Sequence, residues 1–142
     1  MHDQIISRLE DLLLAEYLQR DVYETYSYYL FGYVSSPIQK HLKDHMNEEM
    51  AHITTLQRYL ADLGAAPLVD REPIPHINPS LEDILRFDLA LEKEAVENYS
   101  EVIEMLEGAG RQYISLRIEL ENILVQEQEH VHDLNQWLRG EA

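Results

Sequence analysis

Residues 126–132 read QEQEHVH and hold four side chains able to bind a metal or carry a proton: Glu127, Glu129, His130 and His132. Two Glu-x-x-His pairs overlap in this stretch, and a third, Glu49–His52, lies in EEMAH at 48–52. On a helix, the i, i+3 spacing puts both side chains on one face, within reach of a single ion. The chain has no cysteine, which excludes disulfides, thiolate sites and cysteine nucleophiles. Any metal must therefore be held by carboxylate and imidazole, a hard donor set suited to iron or manganese.

Steps of seven residues along each apolar seam separate the overlapping pairs. Leu120, Glu127 and Leu134 form one row beside Ile123, His130 and Trp137. Glu129 instead shares its row with Asn122 and Gln136, and His132 with Val125 and Arg139, which assigns Glu129 and His132 to solvent. The same stepping puts Glu16 in the row Leu9, Glu16, Tyr23, Leu30 and Glu49 in the row Leu42, Glu49, Leu56, Leu63. His45 and His52 lie beside the latter row. Glu92 falls in Leu85, Glu92, Tyr99, Leu106, flanked by Asp88 and Ala95. Four glutamates and two histidines thus face one core, two segments giving one Glu each and two giving Glu-x-x-His. Four unpaired buried carboxylates would repel one another at high cost. Two divalent cations would cancel that charge, with one terminal imidazole per metal and two bridging carboxylates. One Glu-x-x-His is a weak signal in an acidic helical chain; six such residues in this order at mid-helix are a strong one.

The elements that must carry them are four long helices. Periodicity runs from about Asp3 to Tyr33, from Ser36 (an N-cap, with Pro37 at the first helical position) to Leu63, from Leu81 to Glu107 and from Arg111 to Leu138. Ser80 and Asp83 form a capping box for the third helix, and Gly108-Ala109-Gly110 ends it. Residues 64–80, GAAPLVDREPIPHINPS, carry four of the five prolines and cannot be helical through most of their length. Helices of this length are about 40 Å long, and the short breaks join antiparallel neighbours. Extended at about 3.3 Å per residue, the Pro-rich segment can cross the whole bundle.

The chain reads as one all-α domain, 1–142, long enough to bury a real core. Its formal net charge of −16 disfavours nucleic acid and draws cations. No apolar run reaches the ~20 residues of a membrane span, and MHDQIISRLED lacks a signal-peptide layout, which leaves the cytoplasm as the expected compartment.

Over nearly its whole length the sequence resembles bacterioferritin, in LLLAEYLQRDVYETY (12–26), NEEMAHITTLQRYLADLGAAP (47–67), SLEDILRFDLALE (80–92) and ILVQEQEHVHDL (123–134). The resemblance implies a ferritin-like four-helix bundle with a long crossover between the second and third helices. It implies a ferroxidase centre of two Fe ions (or Mn) per subunit on Glu16, Glu49, His52, Glu92, Glu127 and His130. Glu49 and Glu127 bridge, Glu16 and Glu92 are terminal, and each histidine binds one metal. Tyr23 matches a family tyrosine close to the centre. Met50, pointing off the metal face, matches the axial ligand of a haem b at a two-fold dimer interface, although related proteins keep the fold without haem. Fe(II) and O2 or H2O2 are the implied partners, with iron storage or detoxification the outcome, and Glu48 is placed at an inner-surface site. The chain ends at WLRGEA, without the family's short fifth helix, so a 24-subunit cage, a 12-subunit shell and a dimer all stay open. Two other chemistries fit the same six residues: peroxide reduction of the rubrerythrin or manganese-catalase type, for which Glu97 is the available extra glutamate, and a Dps-like peroxide-protection shell. An acidic bundle that uses metal only for stability is the third reading.

Overall fold

The computed structural model describes residues 1–30 and 36–140. Its α-helices are α1 (His2–Leu30), α2 (Ser36–Asp62), α3 (Leu81–Glu107) and α4 (Ile114–Leu138), with no strand among the described residues. The expected end of the first helix at Tyr33 and the break at Ser35 lie outside the described residues, but α2 does begin at Ser36, with Pro37 in its first turn. The fourth helix starts three residues later than expected, because Arg111–Tyr113 form a 3-10 turn. That tighter turn buries Tyr113, whose hydroxyl meets His2 Nδ1 at 3.0 Å.

Four hydrogen bonds, the His2–Tyr113 contact among them, define the topology. His2, at the start of α1, also reaches the Leu63 carbonyl beyond the end of α2, at 2.9 Å. The starts of α1 and α4 and the end of α2 therefore share one end of the bundle. At the other end the Tyr26 hydroxyl, near the end of α1, donates to the Pro75 carbonyl at 2.9 Å and accepts from the Ile77 N–H at 2.8 Å. The crossover thus runs the length of the bundle before α3 begins. Each helix packs on two others, α1 on α2 and α3, and α4 on α3 and α2, so the helices ring in the order α1, α2, α4, α3.

Local chemistry fixes the ends. Gly64 closes α2 at φ +85°, with the Ala65 N–H on the Leu60 carbonyl and the Gly64 N–H on the Ala61 carbonyl, both 3.0 Å. This is a Schellman end, which needs a residue tolerant of left-handed backbone. At α3 the Ser80 hydroxyl accepts from the Asp83 N–H at 3.1 Å and donates to the Asp83 carboxylate at 2.8 Å, which gives the N-cap half of the expected capping box, while the Ser80 N–H turns to the Asn78 carbonyl at 2.8 Å instead.

The apolar core is split in two. One lobe gathers Ile5, Leu9, Leu12, Leu13, Leu56, Val102, Leu106, Leu116 and Leu120; the other gathers Leu18, Val22, Tyr26, Leu42, Ile84, Leu85 and Leu134. Each buried Leu or Ile contributes about 1.5–3 kcal/mol. Between the lobes lies a polar layer, and its buried members are the six residues singled out from the sequence together with Gln19 and His45.

Candidate metal centre

Glu16, Glu49, His52, Glu92, Glu127 and His130 are all buried, Glu92 and Glu127 to 0% exposure. They form two triads, Glu16/His52/Glu127 and Glu49/Glu92/His130, each with one ligand atom per residue and those atoms within 4.8 Å of one another. Both imidazoles turn Nδ1 inward. His52 Nδ1 lies 3.3 Å from Glu16 Oε1 and 3.0 Å from Glu127 Oε1; His130 Nδ1 lies 3.4 Å from Glu92 Oε1 and 3.9 Å from Glu127 Oε2. The two oxygens of Glu127 thus face the two histidines, and this carboxylate spans both halves.

The protein alone leaves this layer unsatisfied. Glu16 Oε2, Glu92 Oε2 and both oxygens of Glu127 are buried without a hydrogen-bond partner among the described residues. His52 approaches Glu127 within ion-pair distance but off the direction that would satisfy Oε1. Buried polar atoms are almost always paired, and an orphaned carboxylate oxygen costs several kcal/mol. Hard divalent cations supply what these oxygens lack, so the donor set fits a pair of such ions.

The electrostatics agree. Burial and the neighbouring charge of Glu127 push the Glu16 carboxyl up to about 7. Burial, then Asp88, raises Glu49 well above the carboxylate range; burial, then Glu127, does the same to Glu92. Burial alone would raise Glu127 and lower His52. The partners reverse both: Glu92 and the imidazoles bring Glu127 down to about 2, and the Glu127 and Glu16 carboxylates hold the His52 proton up to about 11. Without metal, protons must stand where positive charge is wanted, a hallmark of sites whose metal uptake releases protons.

Other expected residues fall as follows. Glu129 and His132 are exposed, as the helical phase requires. Met50 is 40% exposed, off the metal face of α2, and Glu97 is exposed on α3. Tyr23 is half-buried and lines a cavity of about 30 Å3 beside Glu49, together with Gln19, His45 and Asp88. The phenol that donates to a glutamate of the centre is Tyr99, at 2.7 Å from Glu16 Oε1. Gln19 donates to Glu92 Oε1 at 2.7 Å. Neither role was read from the sequence, although Tyr99 follows Glu92 by seven residues and Gln19 follows Glu16 by three. Glu48, expected at an inner surface, is half-exposed and lies 2.5 Å from His130 Nε2 through Oε2; Gln126 Oε1 lies 2.5 Å from His52 Nε2.

A comparison with known families matches the ferritin-like domain over residues 6–141. The chain belongs to the ferritin-like family. Among its relatives, a bacterial ferritin of Neisseria meningitidis serogroup B is 27% identical over 137 residues, which cover 95% of this chain and 86% of that one. A bacterial ferritin of Paramagnetospirillum magnetotacticum is 27% identical over 107 residues, 75% of this chain, which span 65% of the relative's length. Two solved structures share the fold. A ferritin-like diiron-carboxylate protein of Bacillus anthracis superposes with a TM-score of 0.87 at 18% identity, covering 96% of both chains. The bacterioferritin of Rhodobacter capsulatus, solved with a metal-free dinuclear site and haem iron, gives 0.84 at 20% identity over 96% of this chain and 84% of that one. The ferritin-like fold is thus confirmed, and no helix among the described residues is long and apolar enough to cross a membrane.

Proposed function

We propose that this ferritin-like protein is a ferroxidase that binds two Fe(II) ions as substrates between its four helices and passes their electrons to O2 or H2O2. Glu127 and Glu49 bridge the two positions; Glu16 and His52 complete one, Glu92 and His130 the other. The observation that carries the reading is the set of buried oxygens on Glu16, Glu92 and Glu127 that no group among the described residues satisfies. Two Fe(II) lose two electrons, and O2 with two protons becomes H2O2; with H2O2 as oxidant, two protons and two electrons yield two waters. Tyr99 and Gln19 hold the carboxylates of Glu16 and Glu92 in place through the oxygens they bond. The cavity beside Glu49 has room for a water molecule, which needs only about 10–15 Å3 of such space.

The product is stored or detoxified in a homo-oligomeric shell built from dimers, the assembly that the resemblance to bacterioferritin implies. At a two-fold dimer interface the exposed Met50 would ligate a haem b. Haemin reconstitution, with a Soret band lost in Met50→Leu, tests that part separately. The main reading is tested by stopped-flow Fe(II) oxidation under O2 and under H2O2. Glu49→Ala and Glu127→Ala should be slow with either oxidant, and wild-type rates in those variants would sink the assignment.

A further inference from the structure

The two Glu-x-x-His motifs are each preceded by a polar residue, Glu48 before Glu49 and Gln126 before Glu127. On the neighbouring helices α2 and α4 these two residues cross over. Glu48 reaches the histidine of the α4 motif, with Oε2 at 2.5 Å from His130 Nε2, and Gln126 reaches the histidine of the α2 motif, with Oε1 at 2.5 Å from His52 Nε2. The arrangement is two-fold in geometry but not in chemistry, because one partner is a carboxylate and the other an amide.

We infer that the two metal positions are inequivalent, Glu48 and Gln126 acting as positioning residues that make the half built on His130 the tighter. A histidine that binds metal through Nδ1 must carry its proton on Nε2. An ionised carboxylate accepts hydrogen bonds and cannot donate, so Glu48 holds His130 in the tautomer whose Nδ1 lone pair faces Glu92 and Glu127. An amide can turn either end to the ring, so Gln126 leaves the His52 tautomer to be chosen when metal binds. A charge-assisted bond to the distal nitrogen also makes an imidazole the stronger donor. The ring plane of His130 has a further support. His45 stacks on it at 4.0 Å and 21°, and is itself held by Asp133 at 3.1 Å. Glu48 is 38% exposed, which screens its charge but leaves it the freedom to take up this bond.

Such outer partners typically change metal affinity by about 10–100-fold. The inference rests on the two-metal reading but not on the oxidation chemistry. It is tested by anaerobic Co(II) titration of the metal-free protein, read from the visible d–d bands, with anomalous diffraction at half saturation. Two Co(II) should bind per chain in steps roughly 10-fold apart, within that range, and the first ion should lie against His130. Glu48→Gln should weaken the first step, and Gln126→Glu should strengthen the second; both narrow the gap. Thermal melts establish that both variants are folded. Equal steps, a first ion against His52, or a wild-type isotherm in either variant would overturn the inference. Saturation below two ions per chain would remove the two-metal reading, and the inference with it.

Discussion

Glu16→Gln should make the metal-free protein relatively more stable as pH rises, although it removes a residue of the centre. Glu16 is buried, accepts from Tyr99 and leaves Oε2 without a partner, and burial followed by the charge of Glu127 raises its carboxyl from 4.5 to about 7. The folded state then holds a proton that the unfolded state has released. Stability attributable to this group is therefore lost as pH climbs from 4.5 towards 7 and stays lost above it. From those two values the penalty is under about 1 kcal/mol at pH 5 and about 3 kcal/mol at pH 8. Glutamine keeps an acceptor for Tyr99 and has no such titration. Whatever fixed cost its amide incurs, the gap between variant and wild type should move in favour of the variant by about 2–3 kcal/mol between these pH values. For a chain of this size that is roughly 5–10 °C in Tm, at about 3 °C per kcal/mol. The assay is thermal unfolding of chelator-treated protein, followed by circular dichroism at pH 5 and pH 8, and repeated with Mn(II). A gap that is the same at both pH values, or that moves against the variant, would refute the reasoning. Added Mn(II) should reverse the order by stabilising only the wild type.

Three further outcomes follow from the same geometry. Metal at ~100 times its Kd should stabilise the fold by about 2.7 kcal/mol, and Glu127→Ala should abolish that shift in a thermal melt. Leu56→Ala, in the fully buried lobe that also holds Leu9, Val102 and Leu120, should cost about 2–5 kcal/mol in urea unfolding, with m unchanged. Tyr26→Phe removes both bonds that tie the crossover to α1 and should cost about 1–3 kcal/mol, with faster proteolysis of residues 64–79 as the local readout.

The helices and the six central residues were legible because both rest on periodicity. Glu16, Glu49, Glu92 and Glu127 break apolar rows of step seven, and no interior position tolerates that without a charge to meet it. The same phase sorted Glu127–His130 from Glu129–His132, and the proline content of 64–80 forced the crossover. Hydrogen bonds between helices were not legible. A row places Tyr99 on the inner face of α3 without saying that its hydroxyl reaches across to Glu16 on α1. Glu48 was expected at an inner-surface site and Gln126 was given no role, because the crossing of each to the other motif's histidine depends on how α2 and α4 pack. Tyr23 shows the converse: its row is the ligand row, yet it ends at a cavity wall while Tyr99 takes the carboxylate. The 3-10 turn at Arg111–Tyr113 also escaped, since a tight turn and a first helical turn share the same residue preferences.

The central claim, that these six residues form a two-iron oxidation site, is tested most directly by rapid mixing with O2 after anaerobic loading of one to four Fe(II) per chain. The account predicts a fast absorbance phase whose amplitude rises up to two Fe(II) per chain and then breaks, and which Glu127→Ala lacks. No fast phase, a break at another stoichiometry, or the same break in Glu127→Ala would contradict it.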